Sequence, residues 1–156
     1  MKKEMLKGFT MLLLIVVLAI ASALVSNAQS SQKIVATIPF DFTIDYKTMP
    51  AGDYVVQTLQ SAGDALLIQK VDGSTSVLRQ ANVVERIGKE SLARLVFHRY
   101  GQHYFLAEVW NGTETGRRLL KSKPEQAFES ELASISSKSE LAERSYAAVE
   151  VLALNK

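Results

Sequence analysis

LARLVFHRYGQHYFLAEVW, residues Leu92 to Trp110, decides the fold. It consists of two apolar, β-branched and aromatic runs on either side of Gly101-Gln102, and Gly in the first central position is what a two-residue type II′ hairpin turn prefers. With that turn, Tyr100 faces His103 and His98 faces Phe105, so one face of the strand pair carries both histidines. Glu108, the nearest acid, is expected on the opposite face. Aromatics crowd both faces, so the pair is expected to be a structural centre. One face should meet the domain interior and the other a covering element.

Working outward, short strand-like runs alternate with turn signals, the spacing of an all-β domain. Upstream, Lys33–Ile38 reads as a first strand, broken by Pro39. Phe40, Phe42 and Ile44 alternate onto one face, and Met49-Pro50-Ala51-Gly52 makes a turn before the strand Tyr54–Leu59. Gly63-Asp64 and Asp72-Gly73 bracket Ala65–Val71 and lead into Thr75–Val84. Downstream, Asn111-Gly112 closes the central hairpin and Thr113–Gly116 reads as loop. Ser122-Lys123-Pro124-Glu125 is a capping box. Ala127, Phe128, Leu132 and Ile135 then recur at helical spacing, predicting one amphipathic helix over about 123–136. In Tyr146–Leu154 the valines Val149 and Val151 favour a final strand over the helix that its alanines and leucines would suit. The expected class is a β-sandwich or partly closed antiparallel barrel of about seven or eight strands with one C-terminal helix.

The first 28 residues stand outside that fold. Lys2, Lys3 and Lys7 precede the uncharged stretch Phe9–Val25, and Ser26-Asn27-Ala28 ends in small residues. This is the order of a secretory signal, with cleavage expected between Ala28 and Gln29. The stretch falls short of the about 20 apolar residues of a spanning helix. A single β-rich domain over residues 29–156 is then expected in the periplasm or outside the cell, with no membrane attachment after cleavage. Its strands carry Arg94, Arg99 and Glu108, which breaks the alternation of an outer-membrane barrel.

Composition closes several functional classes. Three of the 18 basic residues and one of the 16 acidic ones precede Gln29, leaving 15 of each. A neutral domain without basic clusters is not a nucleic-acid binder. No cysteine is present, which removes disulfides, thiolate metal sites and a cysteine nucleophile. No serine lies in a G-x-S-x-G elbow. The Ser30 and Lys33 pair falls at the new N-terminus, and Asp41, Asp45, Asp53 and Asp64 sit where turns call for Asp.

Ile38-Pro39-Phe40-Asp41-Phe42 and Met49-Pro50-Ala51-Gly52-Asp53-Tyr54-Val55-Val56 resemble the opening of a family of small exported bacterial proteins, IPFxF followed by PAGxYxV. Leu95–Gly101, Tyr104-Phe105-Leu106, Val109-Trp110 and Gly116-Arg117 with Lys121–Lys123 are similar to it as well. The resemblance implies an exported bacterial β domain and supplies no catalytic residues.

Two functional expectations follow. The first is a non-catalytic binding or structural protein of the envelope, with no cofactor. Its candidate ligand-binding residues are Tyr100, Tyr104 and Trp110, presenting an aromatic surface to a glycan, a peptide or an envelope protein. The alternative is a periplasmic or secreted hydrolase or metal-dependent enzyme using His98 and His103. Zinc would need three or four ligands, and the hairpin offers two. On the first expectation, replacing either histidine should barely change stability.

Overall fold

A computed structural model describes residues 33–59, 65–86, 92–134 and 146–155. The expected signal segment with Ala28 and Gln29, the turn expected at Gly63-Asp64 and the part of the predicted helix beyond Ser134 lie outside the described residues. Among the described residues eleven strands run in chain order: β1 Lys33–Ile38, β2 Phe42–Ile44, β3 Lys47–Met49, β4 Gly52–Leu59, β5 Ala65–Lys70, β6 Ser76–Glu85, β7 Ala93–Tyr100, β8 His103–Asn111, β9 Thr115–Leu119, β10 Tyr146–Leu152 and β11 Leu154–Asn155, with helix α1 Lys123–Ser134 between β9 and β10. The all-β class with one helix near the C-terminus and closing strands is the fold observed. No helix among the described residues is long and apolar enough to cross a membrane.

The sheet runs β10-β7-β8-β9-β6-β5-β4-β1-β11. Two corner segments bend it into halves. In β6, Ser76–Gln80 pairs with β5 and Ala81–Glu85 with β9. At the C-terminus β10 pairs with β7 and β11 with β1. Ala153 sits between them and donates its N–H to the Ala93 carbonyl (2.8 Å). The ends of the path are thus successive pieces of one chain, and no ladder among the described residues joins β1 to β7. All neighbours are antiparallel except β2, which lies parallel to β8 at Thr43 and Phe105.

The core lies between the halves. Ile34, Ala36, Ile38, Tyr54, Val56, Leu66 and Ile68 alternate inward from β1, β4 and β5, against Leu95, Phe97, Leu106, Val109 and Leu119. Burying each such large side chain contributes about 1.5 to 3 kcal/mol. Phe42 bridges the halves, edge-on to Tyr54 (5.1 Å) and Phe97 (5.4 Å). The Tyr54 hydroxyl donates to the Pro50 carbonyl (2.6 Å), so this deeply placed phenol has its partner.

Three details depart from expectation. The ladder of β7 with β8 shifts register beyond Val96, leaving Ala107 as an extra residue on β8. That bulge turns Glu108 onto the outer face with Trp110 instead of the inner one. Thr115–Leu119, expected to begin as loop, is a strand held by β6 on one side and β8 on the other. Helix α1 is less amphipathic than its spacing suggests: Ala127 is exposed and Phe128 and Leu132 are half-buried. Its anchor is Glu125, 4% exposed.

Candidate functional site

The hairpin turn forms as its sequence dictates. Gly101 takes φ 61°, the left-handed region that glycine enters without strain. Tyr100 pairs with His103 and His98 with Phe105. These four side chains share the outer face, and α1 lies against them, leaving His103 exposed.

Ser122 caps α1: its Oγ accepts the Glu125 N–H (3.3 Å), and its carbonyl accepts the Gln126 N–H (2.9 Å). The Glu125 carboxylate accepts Nδ1–H of His98 at 2.6 Å and, at 3.4 Å, the Tyr100 hydroxyl. A carboxylate at a helix N-terminus is favoured by the unpaired backbone donors there. His98 is closed over by Tyr146 of β10, ring centroids 5.4 Å apart. His103 lies against Phe128 instead (4.3 Å). The histidines therefore serve two different contacts, and no cluster of three metal-ligating side chains occurs among the described residues.

Burial, with the Glu125 and Glu129 carboxylates nearby, pushes the Tyr100 phenol well above its usual 10.0. Burial first, then Asp72 and Asp41, raises Tyr54 likewise. The unfolded chain gives up these protons at a lower pH than the native one does. Their contribution to stability is thus complete below the ordinary tyrosine value and is lost as pH rises past it. Urea midpoints at about pH 9 and about pH 11 should fall for the parent, and fall less for Tyr100→Phe. An equal fall in both would refute the assignment to Tyr100.

The candidate aromatics do not form one exposed surface. Tyr100 is 4% exposed beneath α1. Tyr104 points inward and stacks on Phe40 (4.0 Å). Trp110 is 6% exposed on the outer face. Its indole lies over Gly116, where a Cβ would sit 2.6 Å from a ring carbon. Nε1–H of Trp110 donates to Glu108 (2.9 Å), which also accepts Nε–H of Arg118 (2.8 Å). The guanidinium carbons of Arg86 and Arg94 stand 5.1 Å and 5.7 Å from the indole centre, within cation–π range.

A concavity of about 220 Å³ opens elsewhere, where β4 and β8 end and β9 begins. Thr58, Val109, Asn111, Thr113, Thr115, Gly116 and Arg117 line it. Arg117 stands opposite Val109 across the ladder, on the inner face. Its Nη1 donates to the Gly116 carbonyl (3.2 Å). In the turn, the Asn111 side-chain oxygen accepts Thr113 Oγ1–H (2.6 Å) and Thr113 N–H (3.3 Å). None of these residues stood out in the sequence as a site. The local hint was Arg117, directly after the expected loop Thr113–Gly116. No protein-family model, no curated protein and no solved structure matches this chain.

Proposed function

We propose that this chain is an exported β domain that acts by binding a small ligand in the mouth beside Arg117, not by catalysis. The lining of that mouth carries the reading. Among its described lining residues the one ionisable side chain is Arg117, whose guanidinium stays protonated throughout the accessible pH range. Threonine hydroxyls and an amide complete the wall. Such a set can orient and hold a ligand, and no acid or base able to exchange a proton near neutrality is among the described lining residues. A concave site with a few convergent polar groups is the usual form of a small-molecule site.

The rival reading is an exported hydrolase built on His98. The 2.6 Å contact of its Nδ1 with a buried carboxylate favours it, since that pairing orients a catalytic imidazole. The Tyr146 ring on His98 and the absence of a serine or threonine among its described contacts count against it.

The binding reading is tested by titrating the protein with mixtures of small polar fragments and following backbone amide shifts. The shifts should gather on Thr58, Asn111, Thr115 and Arg117. Shifts gathered on His98, Glu125 and Tyr146 would move the function to the helix-covered layer. Export is a separate expectation, drawn from Lys2, Lys3, Lys7 and the Ala28 exit. N-terminal sequencing of the secreted or periplasmic fraction should begin at Gln29. Full-length chain recovered from the membrane would contradict it.

A further inference from the structure

Independently of the mouth, we infer that the outer edge of β10 is where a second copy of this chain pairs, strand against strand, about a two-fold axis at Val149. Among the described residues β10 forms a ladder with β7 alone. Its other edge therefore offers a row of backbone donors and acceptors over Tyr146–Leu152. Natural edges are usually guarded by lysine, proline or a bulge. Tyr146-Ala147-Ala148-Val149-Glu150-Val151-Leu152 holds neither lysine nor proline, and its register with β7 runs unbroken along the whole strand. Its one charged side chain, Glu150, is ion-paired with Arg94 of β7 (3.3 Å).

The side chains single out a second copy as the occupant. Val149, Val151 and Ala153 pack against the core, so Tyr146, Ala148, Glu150, Leu152 and Leu154 take the outer face. Leu92 joins them, two positions before Arg94, the β7 partner of Leu152. Tyr146 is 53% exposed, Leu92 62%, Leu152 67% and Leu154 76%. Large apolar side chains gathered in the open mark a contact surface. They are split between the two ends of β10, the tyrosine at its start and the leucines at its finish. Antiparallel pairing about Val149 sets each end against the unlike end of the other copy, Tyr146 opposite Leu152 on both sides of the axis. Ala148 then faces Glu150, and no like charges stand directly opposite. The neighbouring registers that keep outer faces together are worse. Moving the axis to Glu150 opposes that carboxylate to its own copy, and moving it to Ala148 sets Tyr146 against Glu150.

Sedimentation velocity of the purified protein over a range of concentrations reads the association, and two substitutions at one exposed position read the register. Ala148→Glu places a like charge opposite Glu150 of the other copy, twice per dimer, and should weaken association at least about tenfold. Ala148→Lys places the opposite charge there and should associate at least as tightly as the parent. Ala148 is exposed, so both variants should melt close to the parent. Equal weakening by both, or by neither, would overturn pairing at this edge. Because the chain has no cysteine, oxidation gives a second reading. Val149→Cys should cross-link to its own copy, its Cα atoms falling within the about 4.4 to 6.8 Å that a disulfide spans. Ala147→Cys should not, since its two copies lie about four residue steps, about 13 Å, apart along the strands. Cross-linking of Ala147→Cys in place of Val149→Cys would overturn the two-fold at Val149. A parent that stays monomeric at every concentration would overturn the proposal outright. If that monomer floats with phosphatidylcholine vesicles and the Leu152→Ser, Leu154→Ser double variant does not, the leucine corner is a lipid contact instead.

Discussion

Trp110→Ala should lower the unfolding free energy by about 3 to 5 kcal/mol, the cost of truncating a buried large aromatic. The indole faces outward from the sheet, yet it is only 6% exposed. Gly116 lies beneath it, Arg86 and Arg94 stand within cation–π range, and Glu108 accepts its N–H. Truncation removes the apolar contact and takes one donor from Glu108, which keeps Arg118. For a domain of this size the loss corresponds to a fall in Tm of roughly 10 to 20 °C. Gly116→Ala should also destabilise, because the new Cβ would meet the ring at 2.6 Å. The same change should be tolerated in the Trp110→Ala background, where the ring is gone. Thermal melts of the two single variants and the double variant check this. Additive losses would show that indole and glycine do not pack on each other.

The second large effect falls on a histidine. His98→Ala should cost about 3 kcal/mol, the lower end for leaving a buried carboxylate without its main hydrogen-bond donor. It strips the 2.6 Å donor from a carboxylate that is 4% exposed. Two features hold the cost at that lower end. The Tyr100 hydroxyl remains at 3.4 Å, and the α1 N-terminus still favours a carboxylate. His103→Ala should lose only the about 0.5 to 1 kcal/mol of a ring contact at an exposed position. Glu125→Gln keeps an acceptor for His98 and should cost less than Glu125→Ala. Denaturant midpoints of the four variants decide the matter. Equal small effects for both histidines would mean that Glu125 does not depend on His98. From the sequence both substitutions looked nearly silent, because nothing near His98 in the chain announces a carboxylate 27 positions later.

That contrast shows what local pattern can and cannot carry. The hairpin pairing of Tyr100 with His103, the turn at Asp72-Gly73, the Ser122 cap and the closing strand all follow from rules that act over a few residues. The bulge at Ala107 leaves no mark, since a single inserted residue changes neither composition nor local propensity, yet it decides which face Glu108 takes. Strand β9 was hidden because Thr115-Gly116-Arg117-Arg118-Leu119 shows no apolar alternation. Its ladders to β6 and β8 impose the extended backbone, and its glycine is needed by an indole six positions earlier. The aromatics of the central hairpin read equally well as platform or core. Their burial depended on α1, Tyr146 and the arginines beside Trp110, all contributed from other parts of the chain. The mouth was the least legible feature, because Thr58, Asn111 and Arg117 come from β4, β8 and β9 and meet only when the strands end together.

With ligand recognition proposed for the mouth, the histidines should be structural. The most direct measurement is a zinc titration of the uniformly ¹⁵N-labelled protein, following the imidazole nitrogens of His98 and His103. The two rings should respond separately and without saturation at one equivalent, with His98 Nδ1–H remaining bonded to Glu125. Joint shifts of both rings, complete at one equivalent of zinc, would place a metal centre on the hairpin and contradict it.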